Sequence, residues 1–181
     1  MSGVAPEALA AARAYLRIET ADEDAVLSET IGAATAMGER FTGQVLLTRT
    51  LTEIVPVRRE WTRLAATPVR AVTGVEGLPA EGAAFALPVG AYAIDIDAGG
   101  DGWVRVTQPG AAGRVRVTLS AGMAGEWGTL PEPIRHGILR LSAHLFDARG
   151  RAAQSANDRG DGGVPAAVTA LWRPWRRMRL G

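Results

Sequence analysis

The stretch that most constrains the fold runs from Leu130 to Gly150 and reads LPEPIRHGILRLSAHLFDARG. Prolines at its start suit a first helical turn, because the amide hydrogens of that turn have no partner within the helix. Apolar residues then recur at spacings of three and four, the period of a helix with one apolar face. They are Ile134, Ile138, Leu141, Leu145 and Phe146. Gly150 can adopt a left-handed conformation and is typical of a helix end. The pattern predicts one long helix over residues 130–150.

Residues 1–44 predict two further helices joined by a short turn. The first, over 6–17, is rich in Ala, the best helix former. After acidic residues at 22–24, apolar side chains return at helical spacing until Gly43, which predicts a second helix ending there. Two helices with a short connection form an antiparallel hairpin. A hairpin alone leaves both apolar stripes uncovered, so the helix over 130–150 is expected to complete a bundle.

Between these helical parts the pattern changes to that of a β-sheet. Residues 45–122 contain short alternating runs, among them 92–96, 103–107 and 115–119, separated by Gly- and Pro-rich turns. Runs of this kind, broken about every 8–12 residues, are typical of an antiparallel sheet. The predicted fold class is therefore α+β. It consists of a helical bundle with an inserted antiparallel β-lobe over 45–122, and of a loop, a short helix and an extended tail over 151–181.

The C-terminal tail combines tryptophan with arginine. Trp and Arg are enriched in the hot spots of protein interfaces. Arginines interleaved with aromatic rings also grip phosphates and stack on bases. A third interpretation is that the tail folds back on its own domain and leaves its arginines in water. The residues alone leave all three interpretations open. The residues concerned are Trp172, Arg173, Trp175, Arg176, Arg177 and Arg179.

Charge is distributed unevenly along a chain whose formal net charge is only +1. Residues 1–60 carry six arginines against nine acidic residues, a balance of −3. Residues 131–181 carry nine arginines against four acidic residues, a balance of +5. This division suits head-to-tail contacts between copies or a basic end that meets an acidic partner, and two solvated faces of a monomer would look the same.

Several classes of site lack the residues they need. The absence of Cys excludes disulfides, thiol catalysis and cysteine-ligated metals. His136 and His144 are eight residues apart, whereas a metal-binding pair on one helix needs a spacing of three or four. Asp95, Asp97 and Asp101 lack the residue order and terminal Glu of a calcium loop. We therefore expect no cofactor, no metal and no enzymatic activity.

Membrane insertion is not expected either. No run approaches the roughly 20 apolar residues that a membrane-spanning helix needs. The first residues lack the basic start and continuous apolar core of a signal peptide. The sequence predicts a protein made and kept in the cytoplasm, with no membrane partner.

Three blocks of the chain, in this order, resemble the head–tail connector proteins of tailed phages. The first has Leu-Arg-Ile at 16–18, acidic residues at 22–24 and a helix ending in Phe-Thr-Gly at 41–43. The second, LPEPIRHGILRLSAHLFDARG, resembles the family's proline-led aliphatic helix with His-Leu-aromatic-x-x-Arg. The third, GGVPAAVTALWRPWRRMRL, resembles its Val-Pro-x-x-Val-x-x-Leu-Leu-x-x-aromatic-Arg ending. The sheet region is similar to longer members, which include adaptors of prophages and gene transfer agents.

The resemblance implies a ring-forming adaptor that docks under the portal at the head vertex of a virion or phage-like particle. Such an adaptor extends the DNA channel, so that passing DNA becomes a further partner, and receives stopper or tail-terminator proteins. Rings of this family generally follow the twelve-fold symmetry of the portal, which implies a homo-oligomeric dodecamer. The resemblance also implies a portal-contacting segment in which the tryptophans fill portal pockets and the arginines meet acidic groups or DNA phosphate. Its members are Trp172, Arg173, Trp175, Arg176, Arg177, Arg179 and Leu180.

A ring places one surface of each copy against a different surface of the next. We expect the acidic hairpin of one copy to meet a basic surface of its neighbour, because complementary charge fixes orientation. The expected ring-interface residues are Asp22, Glu23 and Asp24 on one side, with Arg135 and Arg140 on the other. Two alternatives remain at this point: a nucleic-acid-binding module that uses the tail, and a cytoplasmic enzyme with scattered catalytic residues.

Overall fold

The structure is a computed structural model and describes residues 4–152 and 164–177. The chain divides into two compact units. A helical unit is drawn from the two ends of the chain, up to Leu46 and from Glu126 onward, and a β-unit is formed by Leu47–Gly125. Helices and antiparallel sheets are both present, so the predicted α+β class is confirmed.

The helical unit contains α1 (Pro6–Leu16), α2 (Asp24–Thr42), α3 (Glu132–Ala152) and α4 (Ala166–Trp172). Short 3-10 turns lie at Trp127–Thr129 and Arg173–Trp175. Helix α1 packs against α2 and α3, and α4 packs against both α2 and α3. Apolar side chains spaced by three, four or seven residues meet in the centre, where they are withdrawn from water. The buried set includes Leu27, Ile31, Ala34, Ile134, Ile138, Leu141 and Trp172.

One helix end follows the chemistry of its residues, and one expected end is wrong. Gly43 ends α2 in the left-handed conformation, with φ of 69°, and donates its N–H to Glu39 O at 2.8 Å. This confirms the predicted stop. Helix α3, by contrast, passes through Gly150 and ends at Ala152. Glycine permits a left-handed conformation without requiring it, and the next two residues, Arg and Ala, are good helix formers.

The β-unit contains seven strands in two antiparallel sheets. The strands are β1 (Arg49–Pro56), β2 (Thr62–Arg63), β3 (Val69–Pro79), β4 (Phe85–Ala86), β5 (Tyr92–Ile96), β6 (Gly102–Val106) and β7 (Ala112–Ala121). The larger sheet has the order β1-β7-β3-β4 and the smaller one β2-β6-β5. The three alternating runs singled out in the sequence lie in β5, β6 and β7, whereas the two-residue strands β2 and β4 were not predicted.

Strand β7 organises the larger sheet because it pairs with both β1 and β3. Its alternate residues are buried on one face, at Val115, Val117, Leu119 and Ala121, while polar residues occupy the other face, as the period of two of a strand requires. The chain enters and leaves the β-unit at adjacent points. Thr48 N donates to Ala124 O at 2.8 Å, and Leu47 forms an isolated parallel bridge with Ala124.

Candidate interaction surfaces

Trp172 lies in the core of the helical unit. Its side chain is 0% exposed, and its indole Nε1 donates to the backbone oxygen of Ile134 at 3.3 Å. The ring centroid lies 6.0 Å from that of Phe41. Glycines leave the room that the indole fills: a Cβ added at Gly137 would lie only 2.7 Å from Trp172 Cε2, and one at Gly38 3.4 Å from its Cη2.

Of the three interpretations of the tail, the one in which it folds back on its own domain describes Trp172. A side chain without exposed surface contacts a partner only after it has left its own core, at the cost of exposing a large aromatic group to water. The anchoring of Trp172 in a portal pocket stays a prediction that requires the indole to leave this core, and the proposed portal surface uses the residues that follow it.

The residues that follow Trp172 lie along the C-terminal end of α2. Gln44 Nε2 donates to Trp175 O at 2.6 Å, and Arg177 N donates to Thr42 O at 2.9 Å. The guanidinium carbon of Arg176 stands 5.6 Å from the centroid of the Phe41 ring, within cation–π range. We call the contacts of Thr42 and Gln44 with Trp175 and Arg177 the tail clip.

The tail clip leaves part of the predicted portal segment accessible. Arg173 and Arg176 are exposed, whereas Trp175 and Arg177 are half-buried. Arg179 and Leu180 lie outside the described residues. The described part of the segment thus presents two guanidinium groups and part of one indole on the helical unit.

The three acidic residues expected at a ring interface are in different situations. Asp24 accepts hydrogen bonds from the guanidinium of Arg13, and these bonds, more than the charge attraction, raise the pKa of Arg13. Glu23 pairs with Arg149 at 2.9 Å. Asp22 is exposed and forms no ion pair with any residue in the described ranges. Asp22 is therefore the member of this group whose charge has no partner within the described chain.

The basic side of the expected interface also divides. Arg140 is exposed on α3, whereas Arg135 is half-buried. The Nε of Arg135 is buried and finds no hydrogen-bond partner in the described part of the chain. Arg140 is thus the more accessible of the two arginines.

Residues 4–152 and 164–177 contain no group of three His, Asp or Glu side chains that could hold a metal ion. His136 is exposed and meets the edge of the Tyr15 ring, with centroids 6.0 Å apart. Within the same ranges, no helix combines the length and apolar character needed to cross a bilayer.

A basic surface in the β-unit was missed at the level of sequence. Arg58 and Arg59 follow β1, Arg105 lies on β6 and Arg114 on β7, and all four are exposed. Arg105 stacks over the Trp61 ring, with its guanidinium carbon 4.7 Å from the centroid. The run Arg-Arg-Glu-Trp at 58–61 was a visible signal. The two other arginines join it only in the folded unit, through backbone contacts.

Solved structures share this fold over almost the whole chain. One, of the neck of an empty GTA particle computed with C6 symmetry, aligns with a TM-score of 0.74 at 24% identity and covers 99% of this chain and 96% of its own. The virion of a native gene transfer agent (GTA) particle and the neck of a native GTA particle computed with C12 symmetry give TM-scores of 0.69 and 0.70 at the same identity and coverage.

No family model matches the sequence, and no curated protein matches it significantly. The structural likeness is therefore what relates this chain to other proteins. The chain has the fold of a protein found in neck and virion structures of gene transfer agent particles.

Proposed function

We propose that this chain is a structural component of the neck of a gene transfer agent or related phage-like particle, and that it is the adaptor between the portal and the tail proteins. The observation that carries the proposal is the likeness to chains of GTA neck structures over 99% of the sequence. The three sequence blocks that resemble connector proteins also support the proposal. They lie in the N-terminal and the C-terminal parts of the chain that form the helical unit. The role is structural rather than catalytic.

The adaptor forms a homo-oligomeric ring, and the C12 symmetry of one related neck structure favours a dodecamer. In this ring the exposed Asp22 of one copy faces the exposed Arg140 of the next. Glu23, Asp24 and Arg135 add to the same contact from partly covered positions. Complementary charge on two different surfaces of each copy suits the head-to-tail contacts from which a closed ring is built.

The portal contact uses the part of the tail that follows Trp172. Arg173, Trp175 and Arg176 lie on the surface of the helical unit, and the proposed contact also includes Arg177, Arg179 and Leu180. Arginine and tryptophan are the residues that most often dominate binding energy at interfaces. The opposite face of the ring receives a stopper or tail-terminator protein, and packaged DNA passes through its channel.

Electron microscopy of particles from the source organism tests the proposal. The expected result is density for this chain as a ring between portal and tail, recognised by its five tryptophans, with residues 173–180 against the portal. A particle neck that lacks this chain would refute the neck role. A ring placed elsewhere in the particle would refute the adaptor role alone.

Loss of the portal contact gives a second test. Replacement of Arg173 and Arg176 by alanine should lower the amount of chain found in purified particles. The thermal unfolding temperature of the isolated chain should fall only slightly, through loss of the contact between Arg176 and Phe41. Arg17→Ala with Arg40→Ala removes two exposed arginines from the same unit and serves as the matched control. Equal incorporation of both double variants would contradict the assigned portal segment.

A further inference from the structure

The arginines of the described chain fall into two groups. In the first group each guanidinium has partners within the chain: Arg63 pairs with Asp101 at 2.6 Å, Arg116 with Glu76 at 3.0 Å, and Arg70 donates to the backbone oxygens of Gly122 and Met123. In the second group the guanidinium forms no ion pair within the described ranges. Several of this second group gather at one end of the β-unit.

Backbone contacts bring these arginines together from three separate segments. Val57 N donates to Gly113 O at 3.2 Å, which places Arg58 and Arg59 beside Arg114. Val106 N donates to Arg58 O at 2.9 Å, which places Arg105 next to the same loop. We call Arg58, Arg59, Arg105, Arg114 and Trp61 together the basic end. Strands β6 and β7 hold Arg105 and Arg114, whereas Arg58, Arg59 and Trp61 lie in the loop between β1 and β2.

The positive charge of the basic end is not neutralised within the chain. None of its arginines forms an ion pair with another residue of the described ranges. Two carboxylates without an ion pair in the described ranges lie nearby: Glu60 in the same loop, and Asp95 on β5, diagonal to Arg105. A third, Glu76 on β3, is diagonal to Arg114 and is paired with Arg116. Four positive charges thus have two unpaired negative ones beside them, in a chain whose total formal charge is only +1.

The basic end combines solvated guanidinium groups with few apolar side chains. Its apolar neighbours are Trp61, which is 41% exposed, and Pro56 and Leu78, the cross-strand partners of Arg114. Beside them lie exposed polar or small residues such as Thr107, Gln108 and Gly113. Solvated guanidinium groups match the way in which proteins contact the DNA backbone without reading sequence.

We propose that the basic end binds the phosphate backbone of double-stranded DNA without base specificity. The choice of DNA over another polyanion rests on the proposed function, since DNA passes through the neck. A single copy provides few contacts and binds weakly. A ring of copies presents the same surface many times, so that avidity replaces single-site affinity.

Salt-dependent binding of the purified full chain to a duplex of random sequence tests this inference. Fluorescence anisotropy over about 20–200 mM salt measures how steeply the association constant falls, and each phosphate contact contributes about 0.9 to the log–log slope. Arg58→Ala with Arg114→Ala should lower the slope by about 2. Arg17→Ala with Arg40→Ala removes the same charge from exposed positions of the helical unit and should leave the slope unchanged.

Two results of this assay would overturn the inference. One is that the wild-type chain does not bind DNA at the lowest salt, and the other is that the two double variants give equal slopes. A slope lost only on Arg173→Ala with Arg176→Ala would assign DNA binding to the tail instead. A basic-end variant that binds DNA normally but fails to enter particles would make the surface a protein contact. The binding assay needs no particles, so its result is independent of whether the chain is the neck adaptor.

Discussion

Gly137 is the residue whose small size matters most to the helical unit. It faces the indole of Trp172, and a Cβ there would lie 2.7 Å from Cε2 and 2.9 Å from Cδ1. Both are closer than such atoms approach each other in proteins, and the indole is fixed by its hydrogen bond to Ile134 O. Either the indole or helix α4 must move to make room for a larger side chain.

We therefore expect Gly137→Ala to lower the free energy of unfolding by about 1–3 kcal/mol, the usual cost of overpacking a core. Gly32→Ala is the matched control, because Gly32 is exposed on α2 and has no atom within 4 Å of an added Cβ. Its stability should rise by up to about 1 kcal/mol through helix propensity. Urea unfolding followed by circular dichroism measures both, and a neutral Gly137→Ala would show that Trp172 is not held in place.

The two tryptophans of the tail should respond differently to truncation. Trp172→Ala removes a fully buried ring and is expected to cost about 3–5 kcal/mol of stability. Trp175→Ala should change the unfolding temperature little, because Trp175 is half-buried and Gln44 bonds its backbone oxygen. The same variant should reduce incorporation into particles. Equal loss of stability in both variants would place Trp175 in the core.

Sequence alone could not separate these two tryptophans. They are three residues apart and have the same kinds of neighbour, so local pattern assigns them one role. What distinguishes them is the space left by Gly38 and Gly137 in other helices, which is a property of the packed unit. The chemistry of the tail was predictable, and its burial was not.

At the scale of elements, Asp97 closes the hairpin between β5 and β6. Its carboxylate accepts hydrogen bonds from the backbone N of Asp101 at 2.9 Å and from Trp103 Nε1 at 3.3 Å. The bond from Asp101, followed by that from Trp103, lowers the pKa of Asp97. A lowered pKa means that the ionised carboxylate stabilises the fold above the ordinary Asp value of about 3.9, and that this contribution is lost as pH falls through the folded value.

Acidification should therefore loosen this hairpin before the unit unfolds. We expect the Asp101 amide and the Trp103 indole N–H resonances to shift together below about pH 4. In Asp97→Asn this transition should be absent, because the amide cannot lose or gain a proton in that range. Nuclear magnetic resonance titration of both proteins measures it. Retention of the transition in Asp97→Asn would assign it to another carboxylate.

Elements were predicted where the pattern is long or strictly periodic. The apolar period of α3 and the alternation in β5, β6 and β7 are strong local signals. Strands β2 and β4 contain two residues each and exist only through their partners, Val104 and Trp103 for β2, Glu76 and Gly77 for β4. No sequence window can detect pairing of this kind.

At the scale of the whole molecule, charge between copies should decide assembly. Asp22→Arg is expected to weaken the ring, and Arg140→Glu should do the same, because each places like charges across the proposed contact. The combined swap should restore it. Native mass spectrometry of the assembled chain, or electron microscopy of necks, measures the effect. Glu29→Arg changes an exposed acidic residue of α2 outside the contact and serves as control. Single variants that assemble normally would remove Asp22 and Arg140 from the interface.

Assembly partners could be expected from the family resemblance and not from composition. The blocks that carry the resemblance lie in the helical unit, and the likeness to GTA neck structures extends over both units. The basic end shows why a surface built from distant parts of the sequence was not predicted. Its arginines are spread over more than 50 positions of sequence, from Arg58 to Arg114, and only backbone contacts of the folded unit make them one surface.

The adjacency of Thr48 and Ala124 has a consequence for how such a protein can diverge. A segment that begins and ends at neighbouring residues can be enlarged, trimmed or exchanged without altering the course of the chain on either side. The whole β-unit can therefore change during evolution while the sequences of the helices stay constrained by their own packing. In an experiment, a fluorescent or affinity domain can replace the β-unit at the junction of Thr48 and Ala124.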